Sequence, residues 1–216
     1  MIEFGPVSLT SSRAVTRTLR IDSDVEARIE QLADKEGVSF NQLANRSLRK
    51  LVEWEATAER FGFAQVPIYA LERVFAILSE DQARELGREA GKNMMQELIL
   101  FWFKKLDRES ALDLLAMSAK YARLFTLERM SEGGTDTVVL KHDRGPRASA
   151  YYSELLKSLF HSLDVDVDTH ETDGQVVAHI AQPGKLDIRS PRGTSPIARR
   201  LGVAARTTEV PIPITS

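Results

Sequence analysis

No cysteine occurs among the 216 residues. That absence excludes disulfide cross-links, thiolate zinc centres and a cysteine nucleophile. Long apolar runs are missing too, since the longest, Leu98 to Phe103, falls far short of the roughly 20 residues needed to cross a bilayer. The N-terminal Met1-Ile2-Glu3-Phe4-Gly5-Pro6 has neither the basic start nor the apolar stretch of a secretory signal, so we expect a cytoplasmic protein. Also absent are a Gly-x-Ser-x-Gly elbow, a phosphate-binding loop and a Rossmann glycine fingerprint. The expectation is a binding protein, not an enzyme, with no cofactor.

Metal-binding patterns are no better supported. His142, His161, His170 and His179 lack paired ligand spacing of the HExxH kind and read as structural or exposed. Asp164, Asp166 and Asp168 begin like a calcium loop, but Thr169 stands where that loop needs glycine and Gln175 where it needs glutamate. These aspartates, alternating with Val165 and Val167, read as a strand with one wet face.

What is present is a composition able to build a core, 43% hydrophobic and 28% charged. The net charge of -2 conceals an uneven distribution along the chain. Arg13, Arg17 and Arg20 precede an acidic stretch from Asp22 to Glu36, the middle of the chain is acidic, and residues 182–216 are basic. Local charge, not the total, sets which partner a surface can take.

From Val15 to Ile21 the sequence VTRTLRI alternates, with Val15, Arg17, Leu19 and Ile21 on one face and Thr16, Thr18 and Arg20 on the other. A short strand is predicted. Asp22 or Ser23 can cap a following helix in which Val25, Ile29, Leu32 and Ala33 recur before Gly37 ends it. Ser39 can cap a second helix running to about Thr57, with Leu43, Ala44, Ser47, Leu48, Leu51 and Val52 as its apolar face. A lone strand leaves its backbone groups unpaired, and two narrow apolar stripes are too small for a core. Pairing with a second copy answers both needs, so a homodimer is expected.

The segments TRTLRIDSDV and EGVSFNQLANRSLRKL resemble the ribbon-helix-helix family of Arc-type and methionine-repressor-type transcriptional regulators. Gly37 and Ser39 match the family's Gly-x-Ser between the helices, while Arg17 stands where the family often places an apolar residue. The resemblance implies a prokaryotic, sequence-specific regulator, a repressor in the family's usual form, whose two strands enter the major groove of double-stranded DNA. In that arrangement Thr16, Thr18 and Arg20 face the bases, Arg20 suiting guanine O6 and N7. Arg13 and the start of the second helix, Ser39, Phe40 and Asn41, would meet phosphate.

Beyond Phe61 the pattern changes, with Gly62 and Pro67 marking a linker. Helices are predicted over 68–78, 80–105, 108–130 and 147–163, with Glu132-Gly133-Gly134 breaking the third. Strands are predicted over Thr135–Lys141, Val165–Glu171 and Gln175–Ile180, the last two joined by Asp173-Gly174 as a hairpin. The expected fold class is α+β, a ribbon-helix-helix unit over 14–60 followed by a mostly helical domain with a small antiparallel sheet over 61–181. Residues 1–13 read as an arm and 182–216 as a basic, flexible tail.

Ala83, Gly87 and Gly91 recur every four residues and predict one smooth helix face for close packing. Phe101, Trp102 and Phe103 read as core before cavity lining. ELGREAG, YYSELLKSLF and the terminal acidic hairpin together resemble the 4-vinyl reductase-type small-molecule-binding domain, although that family's zinc-ligating cysteines have no counterpart. The resemblance implies effector sensing or assembly by the second domain. An autorepressing antitoxin that binds a protein partner is the alternative reading, and a DNA-tethered enzyme a third.

Overall fold

The computed structural model describes residues 14–181. Arg13, with the expected arm, and the basic tail from residue 182 lie outside the described residues. Among the described residues, eight α-helices, three of them continued by a π-helical turn, and four strands make an α+β fold. Helix α1 spans Ser23–Glu36 and ends at Gly37, whose left-handed φ of 66° lets the chain turn back and bond to the last carbonyls. Helix α2, Phe40–Lys50, runs without a break through a π-helical turn, Leu51–Glu55, into α3, Ala56–Phe61, and stops at Gly62. The second predicted helix is therefore about one turn longer than its sequence pattern implied.

After the linker come α4 (Ile68–Ile77), α5 (Glu80–Glu89), a π-helical turn (Ala90–Met94), α6 (Met95–Phe103) and α7 (Arg108–Met117) with a third π-helical turn (Ser118–Ala122). Strands β1 (Thr126–Glu132) and β2 (Thr135–Lys141) precede α8 (Gly145–His161), and β3 (Val167–Glu171) and β4 (Gln175–Ala181) follow it. The four strands form one antiparallel sheet in the order β1-β2-β4-β3. No helix among the described residues is long and apolar enough to cross a membrane.

One expectation is overturned. Residues 126–130, predicted as the end of a helix over 108–130, form β1. Arg123 ends the preceding turn in the left-handed region at φ 54°, and Gly133 and Gly134, both at positive φ, form the turn joining β1 to β2. Thr-Leu-Glu-Arg-Met is rich in helix formers, but pairing along the whole of β2 outweighs that preference.

The core lies between one face of the sheet and α8. Val138, Leu140, Val176, Ala178 and Ile180 point from β2 and β4 toward Leu156, Leu159 and Phe160, and all are fully buried. The opposite face carries Thr137, His179, Asp168 and His170, the wet side expected for the terminal hairpin. Phe101, Trp102 and Phe103 are half-buried, Trp102 and Phe103 against the core, and all three belong to the packing.

Gly87 and Gly91 press α5 and its π-helical turn onto α8. A Cβ on Gly91 would sit 2.3 Å from the carbonyl oxygen of Leu155, and one on Gly87 2.2 Å from that of Tyr151. Backbone oxygens cannot swing aside as a side chain can. Gly91→Ala should therefore lower stability by about 2 to 3 kcal/mol, the cost of forcing a packed pair of helices apart. An unchanged melting temperature would show that the two helices can separate freely.

Candidate nucleic-acid interface

The expected strand, Val15–Ile21, is not paired in the single chain, where residues 14–22 form no regular element. The expected strand is thus not formed among the described residues, and no neighbouring strand lies beside it. Thr16, Thr18 and Arg20 are exposed. So are the alternate positions Val15 and Leu19, at 79% and 65%, although their apolar side chains gain nothing from water.

The exposure continues into the helices. Val25 and Leu32 on α1, Leu48 on α2, and Leu51 and Val52 on the π-helical turn all face solvent, while Ala33 and Leu43 are buried. The two helices bury little beyond their own contact.

At the start of α2, Ser39 and Gln42 form a reciprocal cap. Ser39 Oγ accepts from the Gln42 amide at 3.2 Å, and Gln42 Oε1 accepts from the Ser39 amide at 2.9 Å. Gln42 was not among the expected residues, although Ser followed three residues later by Gln is the sequence signature of this cap. Asn41 is exposed and Phe40 half-buried. The cap takes up the Ser39 and Gln42 amides, and the helix end still carries the positive pole that favours phosphate. Arg46 pairs with Glu36 at 2.5 Å and ties α2 to α1.

Among the described residues three further buried polar clusters occur, and of their central residues only His142 was named from the sequence, as structural or exposed. Fully buried Asp136 on β2 accepts hydrogen bonds from Arg108 on α7, from Arg129 at 3.0 Å and from the Ser131 hydroxyl. Burial pushes its carboxyl pKa up, but the hydrogen bonds from Ser131, Arg129 and Arg108 outweigh it and hold the group below the usual range. Glu53 is held similarly beneath the end of α2. His142 is enclosed beside α8, its Nδ1 accepting from the Arg144 amide at 3.3 Å and its Nε2 lying 3.2 Å from Ser149 Oγ. The neutral ring thus carries its proton on Nε2 and donates it to Ser149.

Burial and the Arg144 charge lower the His142 pKa from 6.5 to about 4. A native ring that stays neutral while the unfolded chain takes up a proton makes stability full above about pH 6.5 and drains it as pH falls toward 4. The loss should reach up to about 3 kcal/mol. Melting curves from pH 7.5 to 4.5 should fall steeply for the wild type and less steeply for His142→Gln. Parallel curves would remove His142 as the cause.

Next to His142 a shallow, open cleft of about 330 Å³ is lined by Thr126, Lys141, Asp143, Thr172, Gly174 and Gln175 as well. The lining is mixed in polarity. Among the described residues no cluster of His, Asp and Glu has the geometry to hold a metal ion.

No protein-family model matches the chain, and no curated protein matches it. A solved structure described as F78L Tt H-NOX aligns with 80% of this chain and 97% of its own at 13% identity. Its TM-score is 0.38, too low to bear on either fold or function.

Proposed function

We propose that this protein is a dimeric, sequence-specific DNA-binding regulator in which residues 15–21 of two copies pair as an antiparallel ribbon that enters the major groove. The observation that carries the reading is the unpartnered apolar set of the single chain: Val15, Leu19, Ile21, Val25, Leu32, Leu48, Leu51 and Val52. These positions lie on the segment 15–21, the first helix, and the end of the second helix with the π-helical turn that continues it, the parts that a ribbon-helix-helix dimer would bury together. A second copy supplies both the missing strand and the missing core.

Thr16, Thr18 and Arg20 then face base edges, and Ser39, Phe40 and Asn41, with Arg13, meet the phosphates that set the register. The α+β body from about residue 61 onward serves effector sensing or assembly, with the cleft beside His142 as the place for a small molecule.

Sedimentation of the full chain at micromolar concentration tests the dimer. The expected mass is twice that of one chain, and the first unfolding transition should move to higher temperature as protein concentration rises. A monomer with a concentration-independent transition excludes the ribbon.

A further inference from the structure

Where α2 meets the body, one buried carboxylate sits beside the apolar cluster of Trp54, Ala58 and Met117. Glu53 is 3% exposed and sits in the π-helical turn that continues α2. Its Oε1 accepts from Arg49 of α2 at 2.9 Å, and its Oε2 from Lys120 at 3.1 Å and from the Tyr121 hydroxyl. Its backbone oxygen accepts from the Trp102 indole on α6 at 3.2 Å. Lys120 and Tyr121 belong to the third π-helical turn, Ser118–Ala122, which leads into β1. The two irregular turns therefore meet at Glu53.

We propose that the Glu53 junction is a latch that couples the α+β body to the helix bearing the DNA-facing residues. A π-helical turn holds an extra residue against the α-helical repeat. Its conversion to a regular turn rotates everything on one side by about 100° relative to the other, the angle that one residue subtends in an α-helix. Such a turn is a place where a continuous helix can change phase without unfolding. On the far side of Leu51–Glu55 from the body lie Leu48, Asn41 and Ser39, so a change of phase re-aims the face of α2.

Glu53 fixes one phase, because only there do Arg49, Lys120 and Tyr121 reach the same carboxylate. Burial raises its pKa, but the hydrogen bonds from Tyr121, Arg49 and Lys120 more than offset this and keep it charged. A buried charge that loses one of these partners is destabilised at once, which makes the latch all-or-none. The Tyr121 and Lys120 contacts bind the body's turn to that of α2, so movement of either turn is felt by the other.

The coupling rests on the DNA-binding reading only for its consequence, not for its existence. Hydrogen exchange of the full-length protein tests the latch without DNA, using wild type, Glu53→Gln and the milder Tyr121→Phe. Both variants should speed exchange at least tenfold over residues 40–55 and 118–122 together, with α8 and the sheet unchanged. Faster exchange in 118–122 alone, or an equal rise throughout α8, overturns the proposal.

A second readout is built in. The sequence has two tryptophans, Trp54 and Trp102, and their rings lie 5.1 Å apart at this junction. Titration with a duplex selected by the wild-type protein should shift tryptophan emission in the wild type and much less in Glu53→Gln. Tight binding with unchanged emission in the wild type contradicts the coupling. Failure of every duplex to bind counts against the DNA reading instead, and the exchange result still decides the latch.

Discussion

Asp136→Ala should destabilise the protein by about 3 to 5 kcal/mol, because it takes the one buried carboxylate from the buried Arg108 guanidinium and leaves it only the exposed carboxylate of Glu109. Arg108 is 7% exposed, its Nε donates to the Ala181 carbonyl at 3.1 Å, and it cannot swing into water without breaking that bond. Asp136 also collects Arg129 and Ser131 from β1, so one substitution loosens the contact of α7 with the sheet and the pairing of its edge strand. The double variant Arg108→Met with Asp136→Leu should recover much of the loss, since apolar side chains of similar volume remove both desolvated charges at once. Chemical denaturation of the three proteins separates the outcomes. If Asp136→Ala costs less than about 1 kcal/mol, as an exposed pair would, the cluster is solvated and the burial argument is wrong.

Leu19→Ala should weaken the proposed dimer by on the order of 2 to 5 kcal/mol per subunit, since both copies would carry the change. Its side chain is exposed in the single chain, and the proposed ribbon would cover it. Arg20→Ala, one residue on and on the opposite face, should leave melting and dimer mass nearly unchanged. It should weaken specific DNA binding by roughly 1 to 3 kcal/mol, the value of a bidentate guanine contact. The contrast between neighbours matters more than either value. If Arg20→Ala dissociates the dimer while Leu19→Ala loses only DNA affinity, the strand runs in the opposite phase.

Local signals were legible wherever they governed local structure. Gly37, Ser39, Gly62 and Asp173-Gly174 each mark a boundary in the sequence, and the chain turns at each of them. The Ala83-Gly87-Gly91 stripe announced close packing, and α8 lies against it. Strand β1 was not legible, because Leu127, Glu128, Arg129 and Met130 are good helix formers and only the neighbouring β2 makes them extended.

The buried charges were hidden for a related reason. Asp136 lies in a strand and Glu53 in a helix between Val52 and Trp54, and the partners that bring other helices to them, Arg108 and Tyr121, are 28 and 68 residues away. Spacing shows the Arg49–Glu53 pair, four residues apart on one helix, but carries no trace of the distant ones. The boundary near residue 60 was blurred in the same way: Trp54 and Ala58 pack on Met117, so the end of the second helix already belongs to the packing of the body.

Selection of bound duplexes from a randomised DNA pool by the full-length chain is the most direct test of a base-reading ribbon. The predicted result is enrichment of two short half-sites related by a two-fold axis, with preference at one position of each half-site relaxed by Arg20→Ala. Enrichment of asymmetric single sites alone, or of no sequence at all, contradicts it.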